Sequence, residues 1–324
     1  MEYPYTSGGT RRRLIYHAGA LGDFITALPA LRLLARDAAL ELWTRPAHAA
    51  LTAGAAFRLA AWRDAGSAVL APWFGAGAKT ADALAALAGG LEGVDDAFLF
   101  SSPDGPFAAN LAAAGLRVTA HPPRPPRASH VVDYHLAAAS DVAGTVPAPV
   151  ERTPRLRVPA RWCAPATVSP PAATVVVAPG SGSAKKNWPL ASYLALAQRL
   201  RHAGLRIAWL LGPAEAALAK ANSLPQLDLV WRDLALPAVA AAMAASFGYV
   251  GNDSGTSHLA AAVGTPAVVL FGPSDAAIWR PRGRQVQVLT AAAGGSAAAG
   301  EIGTIEVEAV LAACLAWFDA VPGG

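Results

Sequence analysis

The stretch Val250-Gly251-Asn252-Asp253-Ser254-Gly255-Thr256-Ser257-His258-Leu259 gathers a carboxylate, several hydroxyls and small residues into one turn between an apolar run and a helical pattern. A turn of that kind at a strand's carboxyl end offers free backbone N–H groups and a helix N-terminus to an anion, which suits a nucleotide or its phosphates. Asp253 or Ser254 could also do no more than cap the helix. A second loop lies about 70 residues upstream, Pro179-Gly180-Ser181-Gly182-Ser183-Ala184-Lys185-Lys186-Asn187-Trp188-Pro189. Its glycines let the backbone approach a ligand, its hydroxyls can donate to phosphate oxygens, and a lysine adds a point charge. Two such loops from one sheet describe one site.

A third turn, Ala18-Gly19-Ala20-Leu21-Gly22-Asp23, follows the first apolar run of the chain. Asp23 there could cap a helix or, facing a cleft, act as a general base on an incoming hydroxyl. No full G-x-G-x-x-G follows Leu14 to His17, which counts against a dinucleotide dehydrogenase, and no D-x-D pair is present to hold a divalent cation against a diphosphate. Charge on a departing diphosphate would then fall to Lys186, Ser181, Ser183 and the N–H groups of the Asp253 loop.

Three blocks, Gly19 to Leu34, Pro179 to Pro189 and Gly251 to Pro281, together resemble glycosyltransferase family 9, the heptosyltransferases of lipopolysaccharide core assembly. The resemblance implies a GT-B fold, two Rossmann-like α/β domains with parallel sheets facing across a cleft, and an inverting transfer that needs no metal or other cofactor. It assigns Asp23 as catalytic base and Lys186 as the contact to the nucleotide diphosphate. Ser181, with Gly182 and Ser183, stands at a phosphate-binding position, and Glu215 stands where relatives touch the donor ribose. Asp253, Ser254, Gly255, Thr256 and His258 match the donor-binding block, although His258 could equally be a helix residue hydrogen-bonded behind the loop. Gly19 and Gly22 accompany Asp23 on the acceptor side. An ADP-sugar donor, ADP-heptose, and a glycolipid or glycan acceptor are implied by the resemblance alone. The strand end Tyr16-His17-Ala18 departs from the arginine and serine of many relatives, and nothing from Arg45 to Arg127 aligns. A binding protein that senses a nucleotide sugar, a transferase using a different nucleotide sugar, a GT-B epimerase and an NAD-dependent oxidoreductase are the alternatives.

These loops need a scaffold of alternating strands and helices. Strands are expected at Leu14 to His17, Glu41 to Thr44, Ala68 to Leu70, Ala97 to Ser101 and Val118 to Ala120, with helices at Phe24 to Leu34, Lys79 to Ala88, Gly105 to Ala114 and Val131 to Asp141. The alternation resumes with strands Thr174 to Ala178, Arg206 to Leu211, Asp228 to Trp231, Gly248 to Gly251 and Ala267 to Phe271. Helices Leu190 to Ala203, Pro213 to Ala221 and Pro237 to Ala244 intervene. The domains so defined are an acceptor-binding unit at 1–150, a proline-rich extended linker at 151–172, a donor-binding unit at 173–305, and a terminal helix within 306–324 that could cross back to the first unit.

With 324 residues, 54% hydrophobic and 15% charged, the chain can fill two cores and leaves little for disorder. The net charge of +4 draws on Arg11-Arg12-Arg13 and on Arg124 to Arg127, read either as solvated segments or as contacts to an anionic surface such as the inner membrane. No nucleic-acid module accompanies them. Cys163 and Cys314 lack metal-ligand spacing and read as free thiols in a reducing compartment, and neither a spanning segment nor a signal-peptide core is visible. The expectation is a cytoplasmic protein, at most peripheral to the cytoplasmic face of the inner membrane.

Overall fold

The computed structural model describes residues 11–75, 91–126, 129–162, 169–212, 215, 224–225, 228–291 and 300–319. Its contacts divide the chain into two compact units. The first comprises Met1–Gly19, Ala27–Arg127 and Val132–Arg152; the second comprises Ala20–Thr26, Ala128–Val131 and Thr153–Gly324.

In chain order the first sheet's elements are β1 (Arg12–His17), α1 (Leu21–Leu34), β2 (Ala39–Thr44), α2 (Pro46–Leu51), β3 (Leu59–Asp64), α3 (Ala71–Phe74), β4 (Asp96–Leu99), α4 (Pro106–Ala113), β5 (Arg117–Ala120) and α5 (Val131–Ala143). The five strands are all parallel in the order β3-β2-β1-β4-β5. The order reverses beside β1, so the loop after His17 leaves at a topological switch point. Leu14, Trp43, Leu99, Phe107 and Leu111 fill one face of this sheet.

The segment 68–70, expected as a strand, is a short 3-10 helix whose preceding Ser67 accepts from the Val69 N–H. The third strand is instead β3, whose sequence LAAWRD buries little because it lies at the sheet edge. The helix expected at Lys79 to Ala88 lies outside the described residues, as do Cys163 and, apart from Glu215, the helix expected at Pro213 to Ala221.

At the opposite end of β1 the arginine run is ion-paired. Arg13 is fully buried, its Nε donating to Asp96 Oδ1 at 2.6 Å and its Nη1 to Asp37 at 3.0 Å, while Arg11 pairs with Asp37 and Asp96. Arg12 donates to the buried Glu41 at 2.6 Å, and Arg63 and the Trp43 indole complete that carboxylate's shell. Buried charge is tolerated because every carboxylate faces cations or donors.

The second unit continues with β6 (Thr174–Ala178), α6 (Leu190–His202), β7 (Arg206–Leu211), β8 (Leu229–Arg232), α7 (Leu236–Ala244), β9 (Gly248–Asn252), α8 (Gly255–Val263), β10 (Ala267–Phe271), α9 (Ala276–Trp279), β11 (Val286–Thr290) and α10 (Val307–Asp319). Its six strands are parallel in the order β11-β10-β9-β6-β7-β8, with the reversal between β6 and β9. β6 reads TVVVA and is buried throughout, as a strand covered on both faces must be.

The terminal helix α10 packs on α6, β9 and β10 of this second unit. Its Val310, Leu311, Cys314 and Trp317 join the core of β6, β7, β9 and β10, and Trp317 sits so closely on Gly248 that a Cβ there would overlap the indole. Burial pushes the Cys314 thiol up, which leaves it protonated and inert. Leu156 and Trp162 are buried, and the Leu156 N–H donates to the Ala262 carbonyl at 2.8 Å.

Candidate active site

Ala178 on β6 and Gly251 on β9 are register partners, so the loops that follow leave the sheet side by side at the reversal. Asn252 ties them together. Its buried side chain accepts from the Trp188 N–H at 3.0 Å and the Tyr193 hydroxyl at 2.9 Å, and donates to the Pro179 carbonyl at 2.8 Å. The Trp188 indole donates to the Ile305 carbonyl at 2.9 Å, anchoring the far end of the lysine-bearing loop.

From these two loops Lys186 and Asp253 meet, Nζ to Oδ2, at 2.6 Å. The lysine keeps about a third of its side-chain exposure (34%) whereas the aspartate keeps 8%, so the aspartate is spent holding the ammonium. Two of the three ammonium hydrogens are left for another acceptor. The Ser181 hydroxyl lies 2.6 Å from Asn187 Oδ1 and 2.8 Å from the Ser183 carbonyl, so it closes its own loop. Gly182 and Ser183 are exposed in that loop.

Ser254 occupies the N-cap position of α8, yet no side chain caps the helix. With Asp253 on Lys186 and the Ser254 hydroxyl on Thr256 at 2.9 Å, the first-turn N–H groups are not taken by a cap. Neither Asp253 nor Ser254 therefore caps the helix through its side chain. An uncapped N-terminus carries partial positive charge and unsatisfied donors, the arrangement that receives an anion.

A cleft of about 400 Å³ runs along these loops. At one end it is lined by Ala20, Leu21, Gly180, Ser181, Gly182, Ser254, Gly255 and Thr256; at the other by Leu210, Leu211, Leu234, Leu236 and Val239, with Glu215 and Asp233 beside them. Glu215 accepts from the Gly212 N–H at 2.9 Å, and its carboxylate lies against Gly180 where a Cβ would overlap it. The cleft thus combines backbone N–H groups and hydroxyls near α8 with leucine side chains near β7 and β8, and a carboxylate beside them. Lys186, Asp253, His258 and Asp23 are not among the lining residues.

Asp23 lies in the first turn of α1, which belongs to the second unit. Its Oδ2 accepts from the Ala20 N–H at 3.0 Å, half of a capping box, and its second oxygen is available to a further donor. Close packing brings this turn to α8. A Cβ on Gly255 would lie 2.8 Å from Leu21 Cβ, and one on Gly22 would lie 3.2 Å from His258 Cδ2. Gly19 precedes this turn and belongs to the first unit. His258 is buried, and desolvation pulls its pKa down to about 4 against the opposing charges of Asp253 and Asp23, with His130 and Lys186 pushing the same way as burial. A neutral imidazole therefore stands within electrostatic reach of both Asp23 and the Lys186–Asp253 pair.

Asn252 and Tyr249 carry no functional signal in the sequence beyond their nearness to Asp253, and Asn187 none beyond its loop. A strand-end asparagine directly before the aspartate was the available clue, since a buried amide must find partners for both its ends.

A family model described as glycosyltransferase family 9 (heptosyltransferase) matches residues 107–303. The chain belongs to glycosyltransferase family 9. Among curated relatives, lipopolysaccharide heptosyltransferase 3 of Escherichia coli is 30% identical over 113 residues, 33% of this chain and 33% of that protein. Lipopolysaccharide heptosyltransferase 1 of Salmonella typhimurium is 38% identical over 93 residues, 28% of this chain and 29% of that protein. The matches thus span about a third of the curated relatives' length. Among solved structures, E. coli ADP-heptose lps heptosyltransferase II superposes with a TM-score of 0.76 at 18% identity, covering 96% of this chain and 99% of that one. That likeness shows the GT-B fold, with two parallel-sheet α/β units, in this family 9 chain. The family model begins at Phe107, so the Gly19 to Leu34 block lies outside it and the other two blocks lie within.

Proposed function

We propose that this family 9 chain is an inverting, metal-independent glycosyltransferase that moves a sugar, heptose from ADP-heptose, onto a lipopolysaccharide core or related glycan acceptor. The observation that carries the reading is the cleft with an uncapped α8 N-terminus at one end and the Leu210, Leu211, Leu236 and Val239 wall at the other. A nucleoside diphosphate has that polarity: the base on the leucines, the ribose hydroxyls on Glu215, the phosphates against Ser254, Gly255 and Thr256. Family membership supports glycosyl transfer, and heptosyltransferase relatives support the choice of sugar.

In the proposed step the acceptor hydroxyl gives its proton to Asp23 as its oxygen attacks the anomeric carbon. The bond from that carbon to the diphosphate breaks on the opposite face, which inverts the configuration. Negative charge growing on the departing diphosphate is met by Lys186 and the first turn of α8, donors already in place before the reaction. Buried, neutral His258 stands within electrostatic reach of both Asp23 and Lys186. Among the described residues no cluster of three or more His, Cys, Asp or Glu side chains is placed to hold a metal ion. In this mechanism lysine and helix carry the charge neutralisation. Action at the cytoplasmic face of the inner membrane follows from the acceptor; among the described residues no helix is long and apolar enough to cross a membrane.

The test is transfer from ADP-heptose to a heptose-deficient lipopolysaccharide acceptor in EDTA, with the product linkage read by NMR. The expected result is an inverted linkage formed at an undiminished rate. Nucleotide binding without turnover over a panel of ADP-, UDP- and GDP-sugars would reduce the chain to a sensor, and loss of activity with EDTA would remove the metal-independent mechanism.

A further inference from the structure

Tyr249 is fully buried on β9, two residues before Gly251 on the same face of the strand. A Cβ at Gly251 would fall on the Tyr249 hydroxyl, so the phenol fills the space that a side chain at 251 would take. That hydroxyl lies 2.9 Å from Thr256 Oγ1 and 3.0 Å from Ser257 Oγ. Ser254 Oγ lies 2.9 Å from Thr256 Oγ1 and 3.3 Å from Ser257 Oγ, which closes a ring of four hydroxyls at the start of α8.

The hydrogens of that ring can be traced. Ser257 donates to the Asn252 carbonyl at 2.5 Å, an acceptor-only group, so its hydrogen is committed. Ser254 and Thr256 line the cleft, whereas Tyr249 does not. When both cleft-facing hydroxyls turn outward to donate to phosphate oxygens, the only hydrogen left to tie the ring is that of Tyr249. Burial raises the phenol's pKa, so it keeps this hydrogen.

We propose that Tyr249 is a positioning residue for the donor diphosphate, its phenol donating into the ring so that Ser254 and Thr256 are free to donate to phosphate. Without it, one of the two must turn inward to satisfy Thr256 or Ser257, and the diphosphate loses a donor. The inference rests on reading the cleft as the donor site.

The experiment is calorimetric titration of the wild type and Tyr249→Phe with ADP, UDP and GDP, and with the nucleoside of whichever diphosphate binds tightest. Tyr249→Phe is expected to weaken the diphosphate about tenfold and leave the nucleoside unchanged, because a single hydrogen bond to a charged acceptor is lost. A purely structural role would weaken both alike or neither, and either result overturns the assignment. A wild type that binds none of the three diphosphates overturns the donor-site reading first and the tyrosine's role with it. A paired variant, Tyr249→Val with Gly251→Ser, puts a hydroxyl back into the same space from the other residue and covers the case where the phenylalanine variant does not fold. It is expected to recover most of the diphosphate affinity, and weak diphosphate binding with normal nucleoside binding in this folded variant would equally overturn the proposal.

Discussion

Asp23 carries two duties, and a substitution that separates them is the useful one. Its carboxylate accepts from the Ala20 N–H and so fixes the first turn of α1, a role that Asp23→Ala would remove along with any base. Asp23→Asn keeps an oxygen for that N–H and removes only the basicity. The expected outcome is a fall in kcat of roughly 10²- to 10⁴-fold with nucleotide affinity unchanged; transfer at the wild-type rate would take the general base away from this residue. Lys186 needs the same care, because Lys186→Ala leaves Asp253 buried with no cation. Asp253→Asn keeps an acceptor for the ammonium while removing a negative charge near the phosphates. Diphosphate affinity is expected to drop about tenfold or more in Lys186→Ala and to stay within about threefold in Asp253→Asn, consistent with loss of a charge-assisted hydrogen bond in the first alone. Equal losses in both variants would mean that the intact pair, rather than the ammonium, is what the diphosphate needs.

At the scale of elements, close approach is set by glycines. Gly248→Ala would push against the Trp317 indole and move α10 off β9, with an expected cost of about 1–3 kcal/mol read as a lowered urea midpoint. Gly255→Ala meets Leu21 Cβ and the Gly22 N, and would instead separate the Asp23 turn from α8, so transfer should fall with little change in the midpoint. The elements that carry the site were legible in the sequence because their signals are local. β6 at Thr174–Ala178 and β10 at Ala267–Phe271 are continuous apolar runs bounded by turn residues, and their limits were read without error. Edge elements were not. β3 carries no strand signal while the apolar 68–70 does, because a sheet-edge strand such as LAAWRD shows neither a buried run nor strict alternation. β11 at Val286–Thr290, also an edge strand, is illegible for the same reason. The loops' residue types were visible, but their division of labour was not. Which hydroxyl faces the cleft and which closes a loop depends on hydrogen bonds such as Ser181 to Asn187 and Tyr249 to Thr256.

At the scale of the whole molecule, charge and burial give two consequences for solution behaviour. The arginines at the start of β1 are paired with Asp37, Glu41 and Asp96, which offsets much of their positive charge. The buried histidines act on stability. His121 and His135 touch ring to ring at 3.0 Å, and burial pushes His121 down to about 4. His135 goes down to about 3, by burial first and then by the neighbouring charges of His121 and His17. In the unfolded chain both rings take up a proton near pH 6.5, while in the folded protein they stay neutral well below that. The unfolded state therefore binds more protons between about pH 6.5 and pH 4, and the stability present above 6.5 is lost as pH falls through that window. Each such histidine contributes a slope of up to about 1.4 kcal/mol per pH unit, and buried His258 adds in the same direction. Urea midpoints measured at half-unit steps from pH 7.5 to 4 should fall steeply below 6.5 in the wild type. In His121→Gln, which keeps an N–H for its neighbour, the fall should be shallower by about the share of one ring. An unchanged slope in that variant would mean that the histidine pair already holds a proton in the folded protein.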